Sequence, residues 1–423
     1  MPHANGQTKA LTVAWFLAMR AIKRSNRWTT ALIIFIMMLT FLNLVVVSGI
    51  LIGLIEGGNI ANREQYTGDL IVKTEAGKPY IENTHEIVST LRRIPEVEKV
   101  TSRYFEGGTI EANYKTRRDF SALPDTVSTQ ITGLDVKDEE SLSSISKYLT
   151  EGEFLKADES GKIVLGANLL LKYSAGFGDS FASLDEVVPG DEVKVTIGKN
   201  TKTFIVAGIV DSKVNEVSIR AFMTRDDFFR LSDRPSLNAN EIAVRLAPGA
   251  NITDATLKNY LLESGFTTGA KIQTAAEAIP DFLNQIRLAF GLLGNVIGMI
   301  GIVVASITIF IVVFINAVTR RKYIGIMKGI GISESAIKLS YVFQSIFYAL
   351  CGGILGMAIV YFLLVPAFLA HPLNFPFSDG ILVAPLTSTI FKFVLLLIVT
   401  LIAGYIPARM IVKKNTLDSI LGR

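Results

Sequence analysis

The chain has 423 residues, of which 50% are hydrophobic and only 19% charged. With a mean hydropathy of +0.41, it is too apolar for a disordered, highly charged polypeptide and more apolar than an ordinary soluble one. A formal charge of +4 and a pI near 8.9 could suit a weak nucleic-acid binder, but the basic residues lie beside long apolar runs, so no nucleic-acid partner is expected.

Residues 1–27 form a basic lead. Within it Ala14–Ile22 suits either an amphipathic helix on a membrane surface, with Trp15, Phe16 and Met19 toward lipid, or a helical continuation of the next segment. Residues 28–55 contain no Asp, Glu, Lys or Arg. Crossing a bilayer as helix takes about 20 residues, so this is a first transmembrane helix. It is too long for a signal-peptide core and lacks a small-x-small cleavage site before Glu56, which makes it an anchor.

Residues 56–275 read as a large α/β domain. In its front half, strands over Asp69–Thr74 and Val97–Phe105 flank a helix capped by Thr84, with Ile87, Val88 and Leu91 on one face and Ile94-Pro95 at its end. Val127–Leu134 is a further strand, and Asp138–Leu149 carries weaker helical signals. Pro189-Gly190 leads into Glu192–Ile197, where Val193, Val195 and Ile197 alternate with polar residues, and Gly198–Asn200 turns the chain into Thr201–Val210. Ser218–Met223 and Glu241–Leu246 suit short strands, and Arg225–Leu231 and Ile252–Ser264, closed by Gly265, suit helices. The expected arrangement is two lobes, residues 60–125 with 240–275 and residues 126–239.

Residues 276–319 form a stalk and second transmembrane helix. An apolar stripe of Ala276, Ile279, Phe282, Leu283 and Ile286, with Pro280 in the first turn, runs into the uncharged 288–319. A cytoplasmic loop over 320–338, a third span over 339–366, an outer loop over 367–384 and a fourth span over 385–408 follow, with Lys392 snorkelling, and then a tail over 409–423. The lead, the loop and the tail together hold 14 basic and 2 acidic side chains, against 28 basic and 36 acidic elsewhere. The positive-inside rule puts all three on the cytoplasmic side of a plasma or inner membrane, both termini inside and the large domain external or periplasmic.

No catalytic or cofactor constellation is visible. GxxxxGK[ST], GxSxG and HExxH are all absent, His3, His85 and His371 are scattered, and Cys351 is the single cysteine, best placed as a small apolar core residue. Asn251-Ile252-Thr253 matches a glycosylation sequon, a motif common by chance. The spans offer neutral polar groups such as Asn43, Asn295, Thr308, Asn316 and Gln344 rather than the ionisable groups of an ion pump. Small residues recur at helical spacing, Gly294 with Gly298 and Gly352 with Gly356, and suit helix packing or a dimer contact.

The informative segment is the loop Ala317–Leu339. Its basic start anchors the second span, Gly325, Gly329 and Gly331 interrupt a helix, the apolar set Ile324, Ile326, Met327 and Ile330 needs cover, and Ser333 can cap the next helix. A crossbar that docks a cytoplasmic partner and a connector packed on its own spans both fit this pattern.

The string Arg320-Arg321-Lys322-Tyr323-Ile324-Gly325-Ile326-Met327-Lys328-Gly329-Ile330-Gly331 resembles the signature of FtsX-like permeases, the membrane subunits of type VII ABC transporters. Gly325, Lys328 and Gly331 match it, whereas Tyr323 and Gly329 replace the commoner acidic residue and alanine. The closing Gly404-Tyr405-Ile406-Pro407-Ala408-Arg409-Met410 with Leu417-Asp418-Ser419-Ile420, and the opening Ala18-Met19-Arg20-Ala21-Ile22, resemble the family's ends. The resemblance implies a four-helix membrane protein with a two-lobed, porter-like external domain of MacB type between helices 1 and 2. It also implies a dimer with a second permease subunit, identical or not, and a separate cytoplasmic ATPase that carries ATP and Mg, this chain itself binding no cofactor. A membrane-fusion or other external partner is a further implication. By resemblance, Arg321, Tyr323, Ile324, Gly325, Ile326, Met327, Lys328, Gly329, Gly331 and Ser333 make the coupling loop seated on that ATPase. Two functions follow: a permease that exports or extracts an amphiphilic substrate, such as a drug, peptide, lipid or lipoprotein, and a non-transporting mechanotransmitter that regulates an external cell-wall hydrolase.

Overall fold

The computed structural model describes residues 3–115, 124–174, 182–266, 269–279 and 281–413. The expectations placed on Pro280 and on Leu417–Ile420 lie outside the described residues. The chain falls into a helical unit (residues 1–54, 285–373 and 380–423) and an α/β unit (residues 55–284 and 374–379).

The chain opens with α1 (His3–Lys23) and α2 (Arg27–Asn62). These are separate helices, because Asn26 leaves the helical path and its side chain accepts from the Trp28 N–H at 2.9 Å. The alternative of one continuous helix is therefore corrected. Trp15 and Phe16 are exposed, while Ala14 and Ala18 of α1 are buried.

The α/β unit follows, as β1 (Leu70–Thr74), α3 (Thr84–Arg93), β2 (Val97–Glu111), β3 (Thr126–Leu134), α4 (Val136–Ser143), β4 (Leu149–Gly152), β5 (Lys162–Gly166), α5 (Leu171–Ser174), β6 (Glu192–Ile197), β7 (Asn200–Val210), α6 (Asn215–Ser218), β8 (Ala221–Thr224), α7 (Arg225–Ser232), β9 (Glu241–Leu246), α8 (Asp254–Glu263) and β10 (Ala270–Thr274). The strands form one connected sheet, β10-β1-β9-β2-β3-β8-β5-β7-β4, in which β6 joins β2 to β7. The strands expected of the two lobes, β10-β1-β9-β2 and β3-β8-β5-β7-β4 with β6, form contiguous halves of this one sheet rather than separate sheets. β2 is long enough to pair with β9 through Val97–Arg103 and with β6 through Gly108–Glu111, so one strand serves both halves. One apolar core likewise takes Leu70 and Ile272 from one half and Val193 and Phe204 from the other.

Two local expectations also change. The residue before α3 is Asn83, in the left-handed region at φ 55, and Thr84 instead donates its hydroxyl to the Ile81 carbonyl at 2.8 Å and accepts from the Ala239 N–H at 2.9 Å. The stripe that begins at Ala276 does not start a helix. Glu277 accepts from the Thr274 N–H at 3.1 Å and pairs with Lys258 at 2.7 Å, and Ala278 is buried, so the segment turns before α9 (Asp281–Thr319) begins.

The chain continues with α10 (Arg321–Gly329), α11 (Glu334–Ile359), which passes through a wider π turn at Val360–Leu364 into α12 (Val365–Ala370), the hairpin β11 (Leu373–Phe375) and β12 (Ser378–Gly380), whose residues 374–379 belong to the α/β unit, and α13 (Leu386–Val412). Among the described residues four helices are long and apolar enough to cross a membrane, over Arg27–Thr67, Asn284–Thr319, Glu334–Ala370 and Leu386–Val412. Their shared core includes Met37, Phe41, Ile309, Tyr348 and Leu396. Gly352 and Gly356 of α11 let α2 come close, since a Cβ at Gly352 would lie 2.5 Å from the Met37 Cβ and one at Gly356 2.7 Å from Phe41. Gly294 and Gly298 face Leu51 and Leu44 of the same helix at ordinary contact distances. Lys392 does not run outward; its ammonium bonds the Ser48 hydroxyl of α2.

Candidate coupling site

α10 lies between α9 and α11 and begins on Arg320, Arg321 and Lys322. Three cations at a helix N-terminus oppose the macrodipole, so the helix must be held by packing and by its far end. Ile324 is 1% exposed in the core of the helical unit and Gly325 is buried beside it, with Met327 packed against the same core. The far end closes as a Schellman motif: Gly331 sits at φ 91, its N–H bonds the Lys328 carbonyl, and the Ile332 N–H bonds the Met327 carbonyl, both at 3.0 Å. The left-handed backbone there favours glycine. Gly325 therefore does not break the helix; Gly331 ends it. Ser333 then caps α11, accepting from the Ala336 N–H at 3.4 Å.

Lys328 turns toward its own chain. Its ammonium donates to the Val412 carbonyl at 3.0 Å, which satisfies a carbonyl at the end of α13, and pairs with Glu334 at 3.0 Å, which in turn pairs with Lys338 at 3.2 Å. One lysine thus joins the ends of three helices. The residues facing away are Tyr323, Ile326 and Ile330, 67%, 43% and 73% exposed, with the open surface of Gly329 between them. Positions 323, 326 and 330 share one face of a helix. Of the loop residues singled out in the sequence, the structure thus gathers Tyr323, Ile326 and Gly329 on an outer face and turns Ile324, Gly325, Met327 and Lys328 inward. Ile330 belongs to the outer face; it is in the apolar set that the sequence shows to need cover, though not among the individual residues the resemblance assigns to coupling. Its spacing from Tyr323 and Ile326 was the available signal.

The other concentration of charge lies inside the α/β unit. Arg103 of β2 pairs with Glu139 of α4 at 2.7 Å and approaches Glu241 of β9 at 3.8 Å, Arg220 pairs with Glu241 at 3.3 Å, and the Tyr66 hydroxyl donates to Glu241 at 2.5 Å. All five side chains are buried. Burial alone would raise the Glu241 pKa, but the adjacent Arg220 and Arg103 guanidinium groups hold it down at about 2. The cluster fastens strands and helix together. Among the described residues no three His, Cys, Asp or Glu side chains gather where a metal ion could sit.

Residues 295–416, which include α10 and its neighbours, match the family model described as FtsX-like permease C-terminal. Over that stretch the chain is similar to FtsX-like permeases. MacB of Vibrio parahaemolyticus, a macrolide export ATP-binding/permease protein, is 23% identical over 43% of this chain and 27% of its own length. An uncharacterized ABC transporter permease of Methanocaldococcus jannaschii is 26% identical over 58% of this chain and 61% of its own, and the ABC transporter permease YtrF of Bacillus subtilis is 29% identical over 39% and 38%. The chain thus spans from about a quarter to three-fifths of the length of these relatives. The periplasmic region of MacB from Actinobacillus actinomycetemcomitans aligns with 53% of this chain and 94% of that region, at 16% identity and a TM-score of 0.35. The chain is similar to ABC transporter permeases of the FtsX and MacB type, with four long apolar helices and a large α/β domain.

Proposed function

We propose that this chain is the permease subunit of an ABC transporter, in which a separate cytoplasmic ATPase, holding ATP and Mg, seats on the outer face of α10 and drives motions of the α/β domain that export or extract an amphiphilic substrate. A second permease subunit completes the complex. The observation that carries this reading is the unshielded apolar triplet Tyr323, Ile326 and Ile330 on a short helix whose opposite face is locked into the helical core. A docked partner would cover that triplet, and a rigid inner face would pass its displacement to α9, α11 and α13 rather than absorb it. The similarity to export and ABC transporter permeases supports the same reading.

In this mechanism closure of the ATPase pair displaces α10, and the long helix α9, which starts at Asp281, carries the displacement outward as a stalk. The domain lies external to the membrane and both termini are cytoplasmic. The test is reconstitution of the full chain with its ATPase. Ile326→Asp and Ile330→Asp should each lower stimulated ATP hydrolysis at least about tenfold, equivalent to about 1.4 kcal/mol of lost coupling, with unchanged membrane insertion and melting. Wild-type stimulation in both variants would remove the docking face from the mechanism. Gly325 and Met327 are poorer probes, because charges placed there would break the inner packing first.

A further inference from the structure

The apolar segments 28–55, 288–319, 339–378 and 380–408 hold one Asp, Glu, Lys or Arg between them, Lys392 of α13. The coupling reading makes no use of it. An ionisable side chain in hydrocarbon is costly unless it is paired, and it marks a place where a membrane helix meets something polar. Its depth follows from the helix. Arg409, the basic residue of the last turn, sits at a headgroup boundary, and about 26 Å of α13 separates it from Lys392 at 1.5 Å per residue. A hydrocarbon core about 30 Å thick therefore puts Lys392 about 4 Å inside the opposite boundary. That is shallow enough for the side chain to snorkel to water. It turns sideways instead and donates to the Ser48 hydroxyl of α2.

That partner does not answer the charge. Ser48 gives its own proton to the Leu44 carbonyl at 2.9 Å, so it offers Lys392 one neutral acceptor. An ammonium has three N–H donors, and among the described residues no carboxylate pairs with this one. Just past Ser48 the way along α2 is covered, because Gly49 and Gly53 receive the extended segment 381–383. A Cβ at Gly49 would lie 2.9 Å from the Val383 carbonyl oxygen, and the Val383 N–H bonds the Gly49 carbonyl at 3.2 Å. The Tyr361 hydroxyl holds the same segment from the other side, donating to the Ala384 carbonyl at 3.0 Å. Lys392 itself is only half-buried. The open direction is sideways, where Phe391 beside Lys392 and Ile52, one turn from Ser48, are both exposed apolar side chains.

A ligand for this place must bring negative charge to answer the ammonium and hydrocarbon to lie against Phe391 and Ile52. Basic groups set between membrane helices near a headgroup boundary meet both needs in an anionic lipid. We infer that Lys392 and Ser48 form a site for the anionic head group of a membrane amphiphile that enters between α2 and α13 from the lipid side. As a binding site it stands apart from the coupling reading; as the cargo site of a transporter it rests on that reading.

The test offers a photoactivatable phosphatidylglycerol, as a minor component, to the full chain in phosphatidylcholine nanodiscs without ATPase. Illumination should label residues 45–52 and 388–395; excess unlabelled phosphatidylglycerol should displace the label, and inorganic phosphate should not. Lys392→Met, which keeps an unbranched side chain and suits an apolar setting, should cut this labelling at least about tenfold, equivalent to about 1.4 kcal/mol, with unchanged melting. Labelling beside the basic lead 1–27 should persist in that variant, and Lys392→Arg should retain the label at both places. Ser48→Ala separates a binding site from a mere tie between helices, since it frees the ammonium and should leave labelling at or above the wild-type level. The inference is overturned if Lys392→Met labels like the wild type, if a photoactivatable phosphatidylcholine labels these residues equally, if inorganic phosphate displaces the lipid, or if Ser48→Ala loses the label as Lys392→Met does. Loss of the labelling with Ile326→Asp and Ile330→Asp still uncoupled removes only this site; the reverse pattern removes only the coupling.

Discussion

The two units of this chain solve burial in opposite ways. The α/β unit closes its apolar core on itself, with Leu70, Ile110, Ile131 and Phe204 fully buried, and then encloses charge as well, in the Arg103, Glu139, Arg220, Glu241 cluster. The helical unit keeps charge at its ends and turns apolar side chains outward, with Leu288 72% and Leu292 68% exposed along α9. The first pattern is that of a chain segment folding in water, where buried charges must be paired. The second is that of helices whose solvent is hydrocarbon, where backbone bonds are satisfied within each helix and the outer surface need not be polar. Damage should therefore propagate differently: through lost charge partners in one unit and through lost close approach in the other.

The largest effect is expected at Glu241. Glu241→Gln leaves Arg220 and the nearer face of Arg103 without their shared carboxylate, and breaking a buried pair costs about 3–5 kcal/mol. Urea unfolding of the full chain, followed by a probe in the sheet, should show the loss while the helical unit still inserts. The same carboxylate sets an acid limit. Its pKa is near 2 in the folded chain, below the ordinary value of about 4.3. The depressed value means that its contribution is complete above about pH 4.3 and is lost as pH falls toward 2. The wild-type chain should lose about 3 kcal/mol across that window, and Glu241→Gln should flatten the slope. Equal acid sensitivity in both proteins would show that the cluster does not set it.

In the helical unit the comparable break is at Gly352. A Cβ there would lie 2.5 Å from Met37 and 2.9 Å from the Ile34 carbonyl oxygen, so Gly352→Leu must push α11 from α2. Overpacking of this kind costs about 1–3 kcal/mol. Detergent-driven unfolding should report it, and urea unfolding of the α/β unit should not.

How much of this was legible in the sequence follows the same division. Uncharged apolar runs disclose long helices because their signal is additive along the chain, and the hairpin of β6 and β7 follows from alternation at Val193, Val195 and Ile197 with a turn at Gly198. β5 and β10 were not anticipated. β5 is a buried Ile-Val-Leu run with no alternation to read, and β10 follows a segment without pattern. The pairing of β2 with both β9 and β6 was hidden too, since partners distant in sequence leave no local periodicity. In the loop, three glycines suggested an interrupted helix where α10 in fact forms, and the apolar set could be seen to need cover but not which of its members face inward. Met327 and Lys328 turn inward because α13 ends beside them, a fact of tertiary packing.

The finest distinction between the units lies in their helix caps. Thr253 caps α8, accepting from the Thr256 N–H at 3.2 Å, and Ser333 caps α11, accepting from the Ala336 N–H at 3.4 Å. A lost cap typically costs about 1 kcal/mol, but only where the helix melts when the protein unfolds. α8 is a ten-residue helix and has no independent stability in water, so Thr253→Ala should lower the urea stability of the α/β unit by about that amount. α11 belongs to an apolar segment that must keep its backbone bonded within itself in lipid, whether or not it is packed against its neighbours. Its cap is then present in both states and cancels, and Ser333→Ala should leave detergent-driven unfolding within about 0.5 kcal/mol of the wild type. Equal losses at the two caps would mean that α11 melts like a helix in water, and the contrast between the two units would no longer hold.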